Sequence, residues 1–187
     1  MPRLQALDQK YVTGPAKDLL DGIQTELGFT PNLIRTMANS PAVLEAFVES
    51  SAALRKGVLT SRLRVQIALT VAEATGDRYC LAASTAFGKL AGLSEEAIID
   101  SRRGRSPDSK EEAILQFASA LVAQQGRVSD EDLTRLRRIG YGDADVAEIV
   151  ANVALSIFTS YFNHVAGTQV DFPEAPNLPA SVGKARE

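Results

Sequence analysis

The sequence predicts an all-α fold, a helical bundle, on three observations. Apolar residues recur three and four apart through most of the chain. The residues between these runs are helix punctuation, with Ser, Thr or Asp before a run and Gly after it. No stretch sustains the period-two alternation and β-branched enrichment of a strand. With 187 residues and no Pro/Gly/Ser-rich linker, the chain reads as one domain over 1–187, with an extended tail from about residue 168.

The first helix spans Ala16 to Gly28, carries Leu19, Leu20, Ile23 and Leu27 on one face, and stops at its glycine. After Pro31 a short helix from Asn32 to Ala38 presents Leu33, Ile34 and Met37. Ser40 as N-cap and Pro41 at the first helical position start the next, through Val43, Leu44, Phe47 and Val48 to about Lys56. Thr60 or Ser61 caps a helix whose Leu63, Ile67, Ala68 and Val71 make a wide apolar stripe up to Ala74, the pattern of a helix in the middle of a bundle. Thr75-Gly76 breaks it. Asp77 is then the N-cap of a helix from Arg78 to Ala91, ended by Gly92, and Ser94 opens a short one to about Arg103. Asp108, with Glu111 three residues on, has the form of a capping box ahead of Ile114, Leu115, Ala118, Leu121 and Val122, and that helix ends at Gly126. Ser129 to Ile139 is short and closed by Gly140. Asp143 reads as the cap of a long apolar helix from Ala144 to about Ala166, and from Val170 three prolines predict a tail that wraps the surface or a neighbouring subunit.

Composition narrows the function. Hydrophobic residues make up 45% and no apolar run approaches the roughly 20 residues of a membrane span, so a soluble protein with no membrane partner is expected. The N-terminus lacks the apolar core of a secretory signal. A single cysteine excludes an internal disulfide, a Cys-x-x-Cys pair and a cysteine-based zinc site, and makes reducing cytoplasm the expected compartment. A net charge of −3 with both signs interspersed argues against nucleic acid as a partner, and Arg102-Arg103-Gly104-Arg105 reads as a solvated loop.

The chemistry concentrates between Leu59 and Leu93, where Cys80 falls in the first turn of the helix after the break. The unpaired N–H groups and dipole of a helix N-terminus lower a thiol's pKa there. Three segments, ELGFTPNLIRTMANSP (26–41), VAEATGDRYCLAASTAFGKLAGLS (71–94) and FTSYFNHVAGTQVDFP (158–173), resemble the carboxymuconolactone decarboxylase and alkylhydroperoxidase D-like superfamily in order and over almost the whole chain. The resemblance implies an all-helical protein that self-associates, and in many members peroxide reduction through a Cys-x-x-Cys pair.

Carried over residue by residue, the resemblance puts the peroxidatic thiol on Cys80, but the resolving cysteine on Asp77, the histidine on Ser84 and the relay glutamate on Val65. Asp77 cannot form a disulfide, and neither Val65 nor Ser84 shuttles protons near neutral pH, so two-cysteine turnover is not expected. An anionic Asp77 three residues away also opposes thiolate formation at Cys80. Cys80 is then either a packed small residue or a one-cysteine peroxidase that depends on an external thiol. Asp77 has two readings as well. One is a purely structural N-cap. The other is a general base in an apolar pocket, engineered or diverged, that removes a proton from carbon in a Kemp-type elimination of an aromatic heterocycle, with Ser84 hydrogen-bonding an oxyanion. A third possibility is an inactive, ligand-binding relative. Phe29, Phe47, Tyr79 or Phe87 would line such a pocket for a small apolar or aromatic partner. Glu73 could pair with Arg78 or line the pocket, and the lone imidazole, His164, stays a structural or pocket candidate. No cofactor is implied. A homo-oligomer (dimer, trimer or hexamer) is expected, joined through the apolar faces of the Leu63–Ala74 and Val146–Phe162 helices.

Overall fold

The structure, a computed structural model, describes residues 1–178. After a short 3-10 turn at Gln9–Tyr11 that periodicity did not reveal, the chain forms α1 (Pro15–Leu27), α2 (Asn32–Met37), α3 (Pro41–Leu54), α4 (Ser61–Thr75), α5 (Arg78–Leu90), α6 (Glu95–Arg102), α7 (Ser109–Ala123), α8 (Asp130–Arg138) and α9 (Asp143–Ala166). Among the described residues there is no strand.

The centre is α4, which packs against α5, α6, α7 and α9. Its buried residues, from Leu63 through Gln66, Ile67, Leu69, Thr70 and Val71 to Ala72, run round the whole helix. A helix apolar on more than one face is stable only when surrounded. The main core joins Ile67 and Val71 of α4 to Ile114, Leu115 and Ala118 of α7 and to Ile149 and Val153 of α9. A second core gathers α1, α2 and α3 around Leu20, Met37 and Leu44, and receives Tyr79 from α5 and Val170 and Phe172 from the tail. α4 leaves little apolar surface exposed, whereas on α9 Val150, Phe158, Tyr161 and Val165 are exposed.

The caps differ from expectation at two helices. Asp108 accepts from the Lys110 and Glu111 amides, but Glu111 does not reach back; its carboxylate accepts from Ser106 and Gln66 instead. Before α9 the cap position is Gly142, whose N–H donates to the Asp145 carboxylate, while Asp143 is already helical and pairs with Arg137. Ser129 and Asp132 form the reciprocal capping box. Arg102 is no part of a solvated loop: it ends α6, is 7% exposed, and bonds Glu73 at 2.8 Å. α9 is long and apolar enough to cross a membrane by length and composition alone, a test that the core helix of a bundle also passes. Here it packs against α3, α4, α5 and α7, and turns Asn152, Thr159, Ser160 and Asn163 into the bundle. The tail is extended over its described residues and lies on the protomer's own surface; residues 179–187 of the expected tail lie outside the described residues.

Candidate functional site

The corner between α4 and α5 builds the site. Gly76 takes the left-handed conformation (φ 68°), which returns its own N–H to the Glu73 carbonyl and the Asp77 N–H to the Ala72 carbonyl. That closes α4 and makes Asp77 at once the N-cap of α5. Asp77 Oδ1 accepts from the amides of Tyr79 (2.9 Å) and Cys80 (3.2 Å), and Oδ2 accepts from Asn163 Nδ2 on α9 (3.0 Å). The residue is 2% exposed. Three donors therefore hold a buried carboxylate in place, the satisfied arrangement a buried charge requires.

Cys80 lies one turn inside α5 against the same stretch of α9. Its thiol donates to Thr159 Oγ1 (3.4 Å), which in turn donates to the Ser156 carbonyl, and Asn163 Nδ2 approaches the sulfur at 3.4 Å. Burial first, and then the Asp77 charge beside it, push the thiol up to about 12; the Thr159 and Ser160 hydroxyls offset only part of this. The helix-dipole effect expected to activate the thiol is thus overridden by desolvation and a neighbouring anion. At neutral pH the sulfur is a protonated, weak nucleophile.

The remaining candidates separate. Tyr79 is buried, its hydroxyl accepts from the Leu33 amide at 3.1 Å, and burial raises its phenol well above the ordinary range. Ser84 is buried one turn beyond Cys80, and its hydroxyl makes no hydrogen bond among the described residues. Val65 packs with Leu69, Leu93 and Ile98 beside Gly88, about two turns of α5 past Cys80. Glu73 pairs with Arg102 rather than Arg78, whose partner is Glu174. His164 is exposed and stands on the rim of a cleft of about 690 Å³ between α5, α9 and the tail. Asp77, Tyr79, Asn163, Asn32 and Gln169 also line it. Among the described residues no group of three His, Cys, Asp or Glu side chains could hold a metal ion.

The expected apolar, aromatic lining is corrected. The cleft wall is more polar than apolar, and Asp77 already accepts three hydrogen bonds. Of the expected aromatic lining, Phe29, Tyr79 and Phe87 do converge, but on Phe172 of the tail, with ring centroids 5.5, 5.8 and 5.6 Å away. Phe47 stacks elsewhere, on Phe158. Asn163, Thr159 and Phe172 were missed as site residues. A visible signal existed for two of them: Asn152, Ser156, Thr159, Ser160 and Asn163 form a polar line at helical spacing along an otherwise apolar helix.

Residues 41–124 match the model of the carboxymuconolactone decarboxylase family. No curated protein matches the chain in sequence. Among solved structures, the chain superposes on an alkylhydroperoxidase AhpD core, an uncharacterized peroxidase-related protein from Ralstonia eutropha JMP134. The TM-score is 0.81 at 22% identity, over 91% of this chain and 92% of that one. A peroxidase-related protein from Silicibacter sp. TM1040 gives a TM-score of 0.75 at 22% identity, over 89% and 92%. A cysteine-to-alanine variant of the debrominase Bmp8, in complex with 2,3,4-tribromopyrrole, gives 0.79 at 22% identity, over 91% and 92%.

Proposed function

We propose that this chain, whose residues 41–124 match the carboxymuconolactone decarboxylase family and whose fold is that of an alkylhydroperoxidase D-like core, is a member of that superfamily that binds a small molecule in the α5–α9 cleft without peroxidase turnover. The observation that carries this reading is the state of the Asp77–Asn163–Cys80 cluster: the position expected to carry a resolving thiol is a hydrogen-bonded carboxyl cap, and the remaining thiol, half-buried and desolvated, is held protonated. A peroxide needs a thiolate to attack it and a second thiol to release the sulfenic acid. Neither is supplied within the chain. What supports ligand binding is the cleft itself, rimmed by His164 and floored by Asp77 and Asn163. A neighbour of the same fold holds a brominated pyrrole.

The test is a hydrogen peroxide challenge with dithiothreitol, following peroxide consumption and the mass of the protein. The expected result is no catalytic consumption and Cys80 oxidised more slowly than free cysteine. Repeated cycling with reductant would overturn the proposal.

The second reading, Asp77 as a general base for elimination, draws support from one fact: the carboxylate forms part of the cleft wall. It requires Asp77 to exchange a hydrogen bond for the substrate's C–H. On this reading Asp77→Asn abolishes ring opening of a benzisoxazole; unchanged or absent turnover in both proteins sinks it. For assembly, we propose a second copy on the exposed face of α9. Residues 149–170 carry no Asp, Glu, Lys or Arg, so two such faces meet without burying a formal charge. Light scattering of the wild type and Phe158→Glu checks it: the variant is expected to be monomeric.

A further inference from the structure

The tail leaves α9 at Gly167, a left-handed residue (φ 61°), and runs over the mouth of the site. Its fastenings are few. The Asn32 amide donates to Asp171 Oδ2 (2.6 Å) and the Asn32 side chain donates to the Gln169 carbonyl (3.1 Å). Arg78 pairs with Glu174 with both side chains more than three-quarters exposed, and Arg102 donates to the Pro176 carbonyl. Two half-buried side chains, Val170 and Phe172, pack the tail onto the second core, and Phe172 makes the tail's ring contacts. Its ring is met edge-on by Phe29, Tyr79 and Phe87 at interplanar angles of 70°, 89° and 62°. Three rings around a fourth in this geometry are also what holds a flat aromatic ligand.

A second, independent observation lies in the cleft, at the backbone end of Tyr79. Asn163 is 4% exposed, and its Nδ2 must face Asp77 Oδ2, because two oxygens would repel there. This fixes Oδ1, which is buried and has no hydrogen-bond partner among the described residues. The hydroxyl of Thr168, the first residue of the tail, is in the same condition. Buried polar atoms without partners are uncommon in folded proteins, and the two residues that carry them, Asn163 and Thr168, both line the cleft where the tail leaves α9. Tyr79 joins the two halves: its amide shares the Asp77 cap to which Asn163 is bonded, and its ring packs on Phe172.

Building on the ligand-binding reading above, we infer that residues 168–178 are a strap closed over a site for a flat aromatic compound bearing an N–H group. Phe172 occupies the space that compound's ring takes, and Asn163 Oδ1 is the acceptor its N–H meets. Strap and ligand compete. The compound binds only the lifted form, so its apparent affinity is reduced by the fraction of molecules in which the strap is open.

Indole and 1-methylindole, which differ in the N–H alone, are the probes, titrated into the full chain and into Phe172→Ala. Side-chain and backbone resonances of Asn163 and His164 report occupancy, and hydrogen exchange of residues 168–178 reports the strap. The expected results are faster exchange in the strap when indole binds, indole at least about tenfold tighter to Phe172→Ala than to wild type, and 1-methylindole at least about tenfold weaker than indole in both. Exchange protection in α4 and α7 shows whether Phe172→Ala is folded; if it is not, Phe172→Leu gives the same comparison. Equal affinity of variant and wild type, with the strap still protected, overturns the strap while leaving cleft binding intact. Equal affinity of the two indoles overturns the N–H contact. No shift at Asn163 or His164 with either probe in either protein overturns this inference and the ligand-binding reading together.

Discussion

Two parts of α4 end in opposite chemistry. Along one face of its middle, Ile67 and Val71 join apolar side chains of α7 and α9 in the main core. At its C-terminal corner, three turns later at most, α4 hands the chain to a seam where Thr75, Asp77, Cys80, Thr159, Ser160 and Asn163 meet through side-chain hydrogen bonds. The core is held by area, which any well-fitting apolar side chain supplies. The seam is held by specific pairs, each of which fails if one partner is wrong. Substitution should therefore act smoothly on the first and abruptly on the second.

The largest expected effect is on the seam's thiol. An unperturbed thiol at the reference value of 9.0 is about one-tenth ionised at pH 8, whereas one pushed up to about 12 is about a thousandfold less so. Iodoacetamide should label Cys80 about a thousandfold more slowly than a free thiol at pH 8, with the rate still rising above pH 10. Labelling at the free-thiol rate would break the comparison. The sign for stability follows from the same shift. The folded protein holds the thiol proton more tightly than the unfolded chain, so this contribution is complete below about pH 9 and is lost as pH rises towards about 12. Chemical denaturation of the wild type against Cys80→Ala across pH 8 to 11 isolates it, and the variant should lose less stability over that range.

Next in size is the core. Ile114 is fully buried between α4 and α9, and Ile114→Ala should cost about 2–5 kcal/mol in denaturant unfolding, from lost burial plus the cavity left behind. Ile114→Val should cost about 0.5–1.5 kcal/mol. That graded series is the smooth behaviour area predicts.

Asp77 gives the contrasting series. Asp77→Ala removes the cap of α5 and strands the Asn163 amide, at an expected cost of about 1–3 kcal/mol. Asp77→Asn keeps an acceptor for the Tyr79 and Cys80 amides but places a second amide against Asn163. That arrangement is satisfied only if the Asn163 amide turns over, so that its unpartnered Oδ1 accepts from residue 77. The unfolding cost should then be the smaller of the two. With the anion gone, labelling of Cys80 at pH 8 should rise about tenfold. An unchanged labelling rate would show burial alone to be responsible.

The same contrast explains what could be read from the sequence. Helix limits, the Gly28 and Gly76 stops and the Asp77 cap depend on neighbours in the chain, so spacing exposed them. Resemblance in three segments extended this to the fold. The seam's partners are about 80 residues apart, Asp77 with Asn163 and Cys80 with Thr159, and nothing local couples them. Phe172 was invisible for the same reason: a tail of prolines gives no periodicity from which to infer that one ring returns to α5. Arg102 was misread because a run of basic residues looks solvated until its acid, Glu73, is placed against it from another helix.

The smallest effect tests whether polarity or burial gives the seam its value. Arg78 and Glu174 make a 2.9 Å ion pair from the same end of α5, with side chains 79% and 77% exposed. In geometry it is as good a contact as Asn163 makes with Asp77, yet water solvates both charges when the pair is broken, and salt screens it. Glu174→Ala should therefore shift unfolding by less than about 0.5 kcal/mol at low salt and by nothing measurable in 0.5 M NaCl. Its hydrogen-exchange trace should show modestly faster exchange confined to residues near 174, with Phe172 still seated. A loss comparable to that of Asp77→Ala, persisting in salt, would mean that the surface fastening of the tail and the buried seam act as one unit, and that burial is not what separates them.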